Sequence, residues 1–261
     1  MWFAQISDLH ITREGGTTHY SGDTAPSLAR CIDDILRVYP RPAAVVASGD
    51  LVNEGSAAEY VRLISLLGRL DVPVYVIPGN HDRREALRIA FADRGYLPLS
   101  GPLHYVVKCG DVLIVALDTL VEGEEGGRLD DAQLAWLAAT LAASDPAPAV
   151  IVMHHPPMPT GIPSMDEIAL DTRSAEKLGC IVERNANVKR IVCGHVHRDL
   201  HADWRGKTVS VCPSTAFQTS LRFVAASFIG DFSQPAAYFA HHWDGQNLAT
   251  HTVNVPGGVI R

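Results

Sequence analysis

Seven side chains that could bind metal ions stand at the ends of five short apolar runs in this 261-residue chain. Each run is typical of a buried β-strand, and an open parallel sheet gathers the carboxyl ends of its strands along one edge, where α/β folds bind ligands. Imidazole, carboxylate and amide ligands without a thiolate suit borderline ions such as Zn, Mn, Fe or Co better than Ca or Mg. The sequence therefore predicts a transition-metal site. Its candidate ligands are Asp8, His10, Asp50, Asn80, His154, His195 and His197.

The spacing of these residues supports metal chelation. Asp8 and His10 are two residues apart, as are His195 and His197. Alternate side chains of an extended segment lie on the same face, so each pair can approach one ion. Asp50 follows a glycine at a strand end, where the backbone can turn tightly and leave the carboxylate free to bridge two cations.

The elements that position these residues alternate between strand and helix. Apolar residues recur at helical spacing around 25–36, 57–70 and 130–143, each between two strand-like runs. Helices are also expected over 83–94 and 174–187, and a hairpin over 104–117. This alternation predicts an α/β fold, a four-layer α/β/β/α sandwich of two mixed sheets with flanking helices.

The end of the chain has a different pattern. Strands are expected over 208–211, 221–230, 236–243 and 248–255, and no helical pattern follows His197. We therefore expect residues 1–200 to form the catalytic domain. Residues 201–261 are expected to form a β-rich C-terminal part that completes the sandwich and serves as an oligomer arm. On this segment His241, His242 and His251 are expected to be surface or interface residues.

Composition limits the classes of binding partner and the cellular compartment. The net charge is −7 and Lys and Arg form no run, which excludes the basic stripe that binding to long nucleic acid requires. The five cysteines are never spaced as C-x-x-C, which indicates free, buried thiols in a reducing compartment. No uncharged run approaches the roughly 18 residues of a membrane span, and no charged region precedes the first strand. We therefore expect a cytoplasmic protein without a membrane partner.

Taken together, the motifs D-x-H, G-D, G-N-H-D, H and G-H-x-H resemble the calcineurin-like metallophosphoesterase superfamily in type and order, from Asp8 to His197. The resemblance implies two divalent metal ions, Fe, Mn, Zn or Co, with Asp50 as the ligand they share. It assigns one ion to Asp8, His10, Asp50 and His197, and the other to Asp50, Asn80, His154 and His195.

The mechanism that the resemblance implies is in-line attack of a metal-bound hydroxide on phosphorus. Besides Asp50, the catalytic candidate is His81, as a hydrogen-bond donor or general acid towards a phosphate or leaving-group oxygen. The residues expected to contact substrate are Asn80, His81, His197, Asn53 and His155, with packing as the alternative for His155. His19, Tyr20 and the loop 158–165 are further candidates for the pocket wall, whereas the loop 122–127 is interpreted as a solvated turn.

Within the superfamily, three motif sequences are most similar to the bacterial group of glycerophosphodiesterases and class III cyclic-nucleotide phosphodiesterases. They are Ile6-Ser7-Asp8, Gly49-Asp50-Leu51-Val52-Asn53 and Ile77-Pro78-Gly79-Asn80-His81-Asp82. Asn53 stands where purple acid phosphatases carry a tyrosine, so an iron-tyrosinate site is not expected. The implied substrates are glycerophosphodiesters or 3′,5′-cyclic nucleotides such as cAMP.

Three alternatives stay open. The first two are a phosphomonoesterase and a promiscuous phosphonate or phosphoester hydrolase, and the third is a non-catalytic scaffold with the same fold. The C-terminal segment suggests a homo-oligomer, either a dimer or a hexamer built from dimers.

Overall fold

The computed structural model describes residues 1–18, 22–224 and 227–257. Within these residues the strands, in chain order, are β1 (Trp2–Ile6), β2 (Val45–Ser48), β3 (Val74–Ile77), β4 (Tyr105–Cys109), β5 (Val112–Leu117), β6 (Ala149–Met153), β7 (Val188–Cys193), β8 (Leu200–Trp204), β9 (Lys207–Val211), β10 (Gln218–Thr219), β11 (Gly230–Asp231), β12 (Ala236–Trp243) and β13 (Leu248–Val255).

The helices over the same described residues are α1 (Ala25–Ile35), α2 (Ala57–Leu67), α3 (Arg84–Ala90), α4 (Asp131–Ser144), α5 (Pro163–Asp166) and α6 (Thr172–Arg184), with a short 3-10 helix at Ala92–Arg94. Two of them begin with a capping box, in which Ser56 starts α2 and Asp130 starts α4. None of the described helices combines the length and apolar composition that crossing a membrane would require.

The strands form two mixed sheets. The first has the order β13-β12-β1-β2-β3, in which β1, β2 and β3 are parallel and β12 and β13 run antiparallel. The second has the order β4-β5-β6-β7-β9-β8, with β5, β6, β7 and β9 parallel. The parallel strands at the centre of each sheet point their carboxyl ends towards the same region of the molecule, where the predicted ligands follow them.

The layers are held together by three apolar cores. One core packs α1, α2 and α3 against the first sheet, and a second packs α4 and α6 against the other sheet. The third lies between the sheets and includes Phe3, Val46, Ile114 and Val152. The four-layer sandwich predicted from the sequence is confirmed.

One predicted strand is wrong. Residues 221–224 and 227–229 form no strand, and only the two-residue strands β10 and β11 pair beside them. The aromatic and β-branched content of this stretch suggested a strand, yet Leu221, Phe223 and Val224 are exposed. The sequence pattern also did not reveal β8, which pairs antiparallel with β9. In the first half of the chain, the helix expected over 83–94 is interrupted at Phe91.

The late strands pair within this chain. The strand β12 lies beside β1, which buries His241 against Phe3 with ring centroids 4.7 Å apart. His241 also contacts Gln5 and Thr250, each at 2.9 Å, so the expectation of a surface or interface position for it is wrong. The cysteines are free, as expected, although Cys180 is exposed rather than buried.

Candidate metal centre

The predicted ligands follow β1, β2 and β3 of the first sheet and β6 and β7 of the second, and the fold brings them together. Five of them have a left-handed backbone, which residues other than glycine rarely adopt. These are Asp8 (φ 53°), His10 (φ 45°), Asp50 (φ 48°), His195 (φ 72°) and His197 (φ 52°). Such strain persists where the surrounding structure fixes it, and it is concentrated at functional sites.

Four buried side chains form the first donor group. One potential ligand atom each from Asp8, His10, Asp50 and His197 lies within 4.8 Å of all the others. The Nε2 atom of His10 is 3.1 Å from Nε2 of His197 and 3.7 Å from Oδ2 of Asp50. The set matches the first of the two ligand sets that the resemblance implies.

The second donor group surrounds the side-chain oxygen of Asn80. This oxygen lies 3.2 Å from Nε2 of His154 and 3.1 Å from Nδ1 of His195. The Oδ1 atom of Asp50 is 3.4 Å from Nε2 of His154, while its Oδ2 atom faces the first group. Asp50 therefore contacts both groups.

The chemistry of these donors fits divalent cations. Nδ1 of His197 donates to the carbonyl of Phe217 at 2.9 Å, and Nδ1 of His154 donates to the carbonyl of Ser48 at 2.8 Å. In the neutral form of each ring, which is the form that binds metal, the Nε2 atom has a lone pair that faces other lone pairs on Asp50, His10 or Asn80. Converging acceptors repel one another unless a cation lies between them, and carbonyl partners of this kind orient metal-binding histidines.

In Asp50, His10 and His195, burial and neighbouring charge favour the form that binds metal. Burial alone would raise the pKa of Asp50, but His154 and His81 outweigh it and hold that pKa well below its usual value. Burial also lowers the pKa of His10 and of His195, so both imidazoles are neutral near pH 7. Burial raises the pKa of Asp8, however, and the Asp50 carboxylate outweighs burial to raise the pKa of His154 to about 9, so a metal ion has to displace the proton of His154. Ionised carboxylates and neutral imidazoles are the states that metal ions require.

Glycines allow the loops to approach closely. A Cβ atom on Gly79 would overlap the backbone nitrogen and the carboxylate of Asp50, and one on Gly194 would overlap the hydroxyl of Ser7. The loop after β3 therefore lies directly against the loop after β2, and the loop after β7 lies against the loop after β1. Across this second contact, the backbone N–H of His195 donates to the carboxylate of Asp8 at 3.0 Å.

His81 stands beside the donor groups with a fixed orientation. Its backbone N–H donates to Asp50 Oδ1 at 2.9 Å, and its Nδ1 atom lies 2.7 Å from the carbonyl oxygen of Asn53. Burial acts to lower the pKa of His81, but the Asp50 carboxylate and the Asn53 carbonyl outweigh it and raise that pKa. The Asn53 side chain lines the same cavity as His81.

His155 has a different place from the other histidines. It is fully buried, with Nδ1 2.8 Å from the hydroxyl of Thr119 and Nε2 3.0 Å from the carbonyl oxygen of Glu125. It lies close to the donor atoms of His154 and His195, but both of its ring nitrogens already have partners. Burial lowers the pKa of His155 to about 3. These contacts correspond to the packing alternative, in which His155 holds the loop 122–127 in place.

A cavity of about 710 Å³ opens beside the donor groups. Sequence reasoning anticipated part of its wall, since Asn53 and Met165 lie there, while His19 and Tyr20 fall outside the described residues. The loop 122–127 was interpreted only as a solvated turn, yet its Glu125 reaches the cavity. The wall residues that the sequence did not reveal are Thr18, Glu125, Glu167, Ile168, Phe217, Ser227 and Phe228.

Comparisons with known proteins agree with this geometry. A family model described as calcineurin-like phosphoesterase matches residues 1–199. The chain is 31% identical to the probable glycerophosphodiester phosphodiesterase GpdQ of Arcobacter nitrofigilis, over 97% of this chain and 92% of that protein. It is 29% identical to the 3′,5′-cyclic adenosine monophosphate phosphodiesterase CpdA of Escherichia coli K12, over 82% of this chain and 76% of that protein.

A solved structure shares the fold. The dimetal phosphatase from Danio rerio superimposes with a TM-score of 0.67 at 15% identity, covering 98% of this chain and 99% of that one. At this identity the likeness concerns the fold alone. The motifs, the two donor groups and the family match over three quarters of the sequence lead to one conclusion. This chain belongs to the calcineurin-like phosphoesterase family.

Proposed function

We propose that this protein is a metal-dependent phosphodiesterase that hydrolyses small phosphodiesters, either glycerophosphodiesters or 3′,5′-cyclic nucleotides. The observation that carries the proposal is the pair of donor groups joined by Asp50 at one side of a cavity. Support also comes from the relatives, which are named as phosphodiesterases of these two kinds.

In this proposal each donor group holds one divalent ion. Asp8, His10 and His197 would hold the first ion, Asn80, His154 and His195 would hold the second, and Asp50 would contribute to both. Two such ions supply a water of lowered pKa and the positive charge that neutralises a reacting phosphoryl group. Elemental analysis of the purified protein distinguishes among Fe, Mn, Zn and Co. The side chains of Asn80 and His197 also border the cavity, so we expect both to contact the substrate. Asn80 would do so through its amide N–H groups, because its oxygen belongs to the second donor group.

His81 acts as the general acid. With its Nδ1 proton held by the Asn53 carbonyl, the ring directs Nε2 to the cavity, and its raised pKa favours the protonated form. A proton at Nε2 can pass to the departing alkoxide oxygen, which makes a poor leaving group a better one. Before the P–O bond to the leaving group breaks, the Nε2–H group of His81 can also donate a hydrogen bond to a phosphate oxygen.

The charge of the cavity favours diesters over monoesters. Its lining among the described residues includes the carboxylates of Glu125 and Glu167 but no Lys or Arg. A phosphodiester carries one negative charge at neutral pH, whereas a monoester carries nearly two. The second charge of a monoester meets two repelling carboxylates without a compensating cationic side chain, so its binding costs more.

The test compares bis(p-nitrophenyl) phosphate with p-nitrophenyl phosphate, using metal-stripped protein titrated with Mn, Co or Zn. We expect hydrolysis only with metal, and faster turnover of the diester. Faster turnover of the monoester would support a phosphomonoesterase instead. If neither ester is cleaved while metal binds, the protein is a non-catalytic scaffold.

We further propose a cytoplasmic homo-oligomer, a dimer or a hexamer built from dimers, with part of the segment 201–261 at the interface. The support is a stretch of large apolar side chains that this chain leaves exposed. They are Leu221, Phe223, Val224 and Ile229. Light scattering at micromolar concentration tests the assembly, and a monomeric mass would contradict it.

A further inference from the structure

One wall of the cavity beside the donor groups is apolar. It consists of Met165, Ile168, Phe217 and Phe228. Met165 is part of the core behind the second sheet, and Ile168 and Phe228 pack against that same core. The wall is therefore backed by packed side chains, which hold it in shape when a ligand binds.

The wall lies next to the donor groups. The ring of Phe217 is centred 4.6 Å from the ring of His197 and 5.7 Å from that of His10. The ring of Phe228 is centred 6.3 Å from the ring of Phe217, and the two rings are nearly perpendicular at 77°. Phe228 is partly exposed and lines the same cavity as the donor groups, so an organic substituent of a phosphate held there can reach it.

The two proposed substrate groups differ in what they offer this wall. A glycerophosphodiester presents hydroxyl groups, which lose hydration beside apolar side chains and gain no partner there. A cyclic nucleotide presents a flat base, and stacking of one base on an aromatic side chain raises affinity roughly 5- to 150-fold. The polar side chains of Ser164, Ser227 and Glu167 border the same cavity and suit the hydrogen-bonding edge of a base better than an alkyl chain.

We propose that Phe228, together with Met165 and Ile168, binds the nucleobase of a 3′,5′-cyclic nucleotide, and that this wall makes cyclic nucleotides the preferred substrates. The inference rests on the proposed phosphodiesterase function and narrows its substrate class. Phe228 is in this view a specificity-determining residue.

The first experiment measures kcat/KM for cAMP and for sn-glycero-3-phosphoethanolamine with the metal-loaded enzyme. Wild-type protein is expected to prefer cAMP. Phe228→Ala should lower kcat/KM for cAMP roughly 5- to 150-fold, mainly through KM, and change that for the glycerol diester little. Leu99→Ala is the control, because Leu99 is an apolar residue that is 95% exposed, lies outside the segment 201–261 and does not line the cavity.

A second variant distinguishes recognition of a flat ring by stacking from recognition of an aliphatic group by apolar contact. Phe228→Leu keeps an apolar side chain but removes the ring, so it should restore little of the cAMP activity. If Leu restores most of it, the wall recognises apolar bulk and the nucleobase assignment is wrong. Equal losses for both diesters in Phe228→Ala, or a wild-type preference for the glycerol diester, would also overturn the inference.

Binding of adenosine, measured by calorimetry with the same holoenzyme, provides a readout apart from turnover. Adenosine has no phosphate, so its affinity reports on the wall and not on the donor groups. We expect Phe228→Ala to weaken the affinity for adenosine and Leu99→Ala to leave it unchanged; an unchanged affinity in Phe228→Ala contradicts the inference. If wild-type protein cleaves neither diester nor bis(p-nitrophenyl) phosphate, the proposed function is wrong. The adenosine affinity still tests whether the apolar wall binds a nucleobase.

Discussion

The Nδ1 atom of His81 lies 2.7 Å from the main-chain carbonyl oxygen of Asn53. A carbonyl oxygen only accepts hydrogen bonds, so Nδ1 carries a proton and Nε2 is the atom that the ring presents to the cavity. The partner of His81 is a peptide group in the loop after β2. The loop conformation, and not the identity of residue 53, therefore orients the imidazole.

Replacing His81 by Gln should lower kcat by about 10²- to 10⁴-fold for diesters with an alkoxide leaving group, because that oxygen needs a proton. The loss of kcat should be smaller for bis(p-nitrophenyl) phosphate, because its p-nitrophenolate is a good leaving group that departs without a proton. Steady-state kinetics with both substrate types, together with metal analysis, checks this. His104→Gln is the matched control, since His104 is a partly buried histidine that does not line the cavity. Equal losses for both leaving groups would argue against a general acid.

Metal stoichiometry tests the two donor groups. Asn80→Ala and His10→Ala each remove a ligand from one group only, so each variant should lose one of the two ions. Asp50→Ala removes the ligand that both groups share and should bind neither tightly. Elemental analysis of dialysed protein gives the counts. A full metal content in Asp50→Ala would show that the groups do not depend on this bridge.

Asp82 connects the two loops that carry Asp50 and Asn80. Its buried carboxylate accepts hydrogen bonds from the backbone of Gly79 at 2.8 Å and of Leu51 at 3.1 Å, and from the hydroxyl of Tyr60 at 2.7 Å. Burial raises the pKa of Asp82 to about 6, so it is ionised at pH 7.5.

Tyr60→Phe removes one hydrogen bond to this carboxylate and should lower the free energy of unfolding by about 1.5–3 kcal/mol, measured by urea denaturation at pH 7.5. Tyr75→Phe is the control, because no hydrogen bond of the Tyr75 hydroxyl is found within the described part of the chain. A similar, small change in both variants would mean that Tyr60 contributes only packing.

The two cavity carboxylates should set the preference for diesters. We expect the double variant Glu125→Gln, Glu167→Gln to raise kcat/KM for p-nitrophenyl phosphate roughly 2- to 30-fold relative to that for bis(p-nitrophenyl) phosphate, since about 0.2–1 kcal/mol of repulsion is relieved at each of the two carboxylates. Glu124→Gln is the matched control, because Glu124 pairs with Arg128 and does not line the cavity. An unchanged ratio would exclude this origin of the selectivity.

His241 should make stability depend on pH. Burial, followed by the nearby charge of Arg190, lowers its pKa to about 3. Its Nε2–H donates to Gln5 and its Nδ1 accepts from Thr250, so the neutral ring is satisfied. The unfolded chain binds a proton at this histidine below about pH 6.5, but the folded protein does not do so until about pH 3.

The contribution of His241 to stability is therefore complete above pH 6.5 and is lost as the pH falls. Between pH 6 and pH 4, the free energy of unfolding of the wild type should fall more steeply than that of His241→Gln, by about 1.4 kcal/mol per pH unit. Urea denaturation of both proteins over this range gives the slopes. Parallel slopes would show that His241 titrates normally in the folded protein.

Much of the fold was accessible from the sequence, because strand and helix periodicity is a local property. The hairpin formed by β4 and β5 and the helices α2 and α4 lie within a few residues of their predicted bounds. The strand predicted over 221–230 was wrong because the sequence signal is only local. Its aromatic and β-branched residues are typical of a strand, but a strand also needs a partner edge, and local composition does not report one.

The sequence by itself determined which residues form the donor groups, since ligand type and position at a strand end are both encoded locally in Asp8, Asp50 and His154. It did not determine the cavity wall. Glu125, Phe217 and Phe228 come from loops without periodicity, and they meet only because the two sheets bring distant segments to one edge. Contacts between residues far apart in the chain depend on packing, so only the tertiary structure decided what faces the metal ligands.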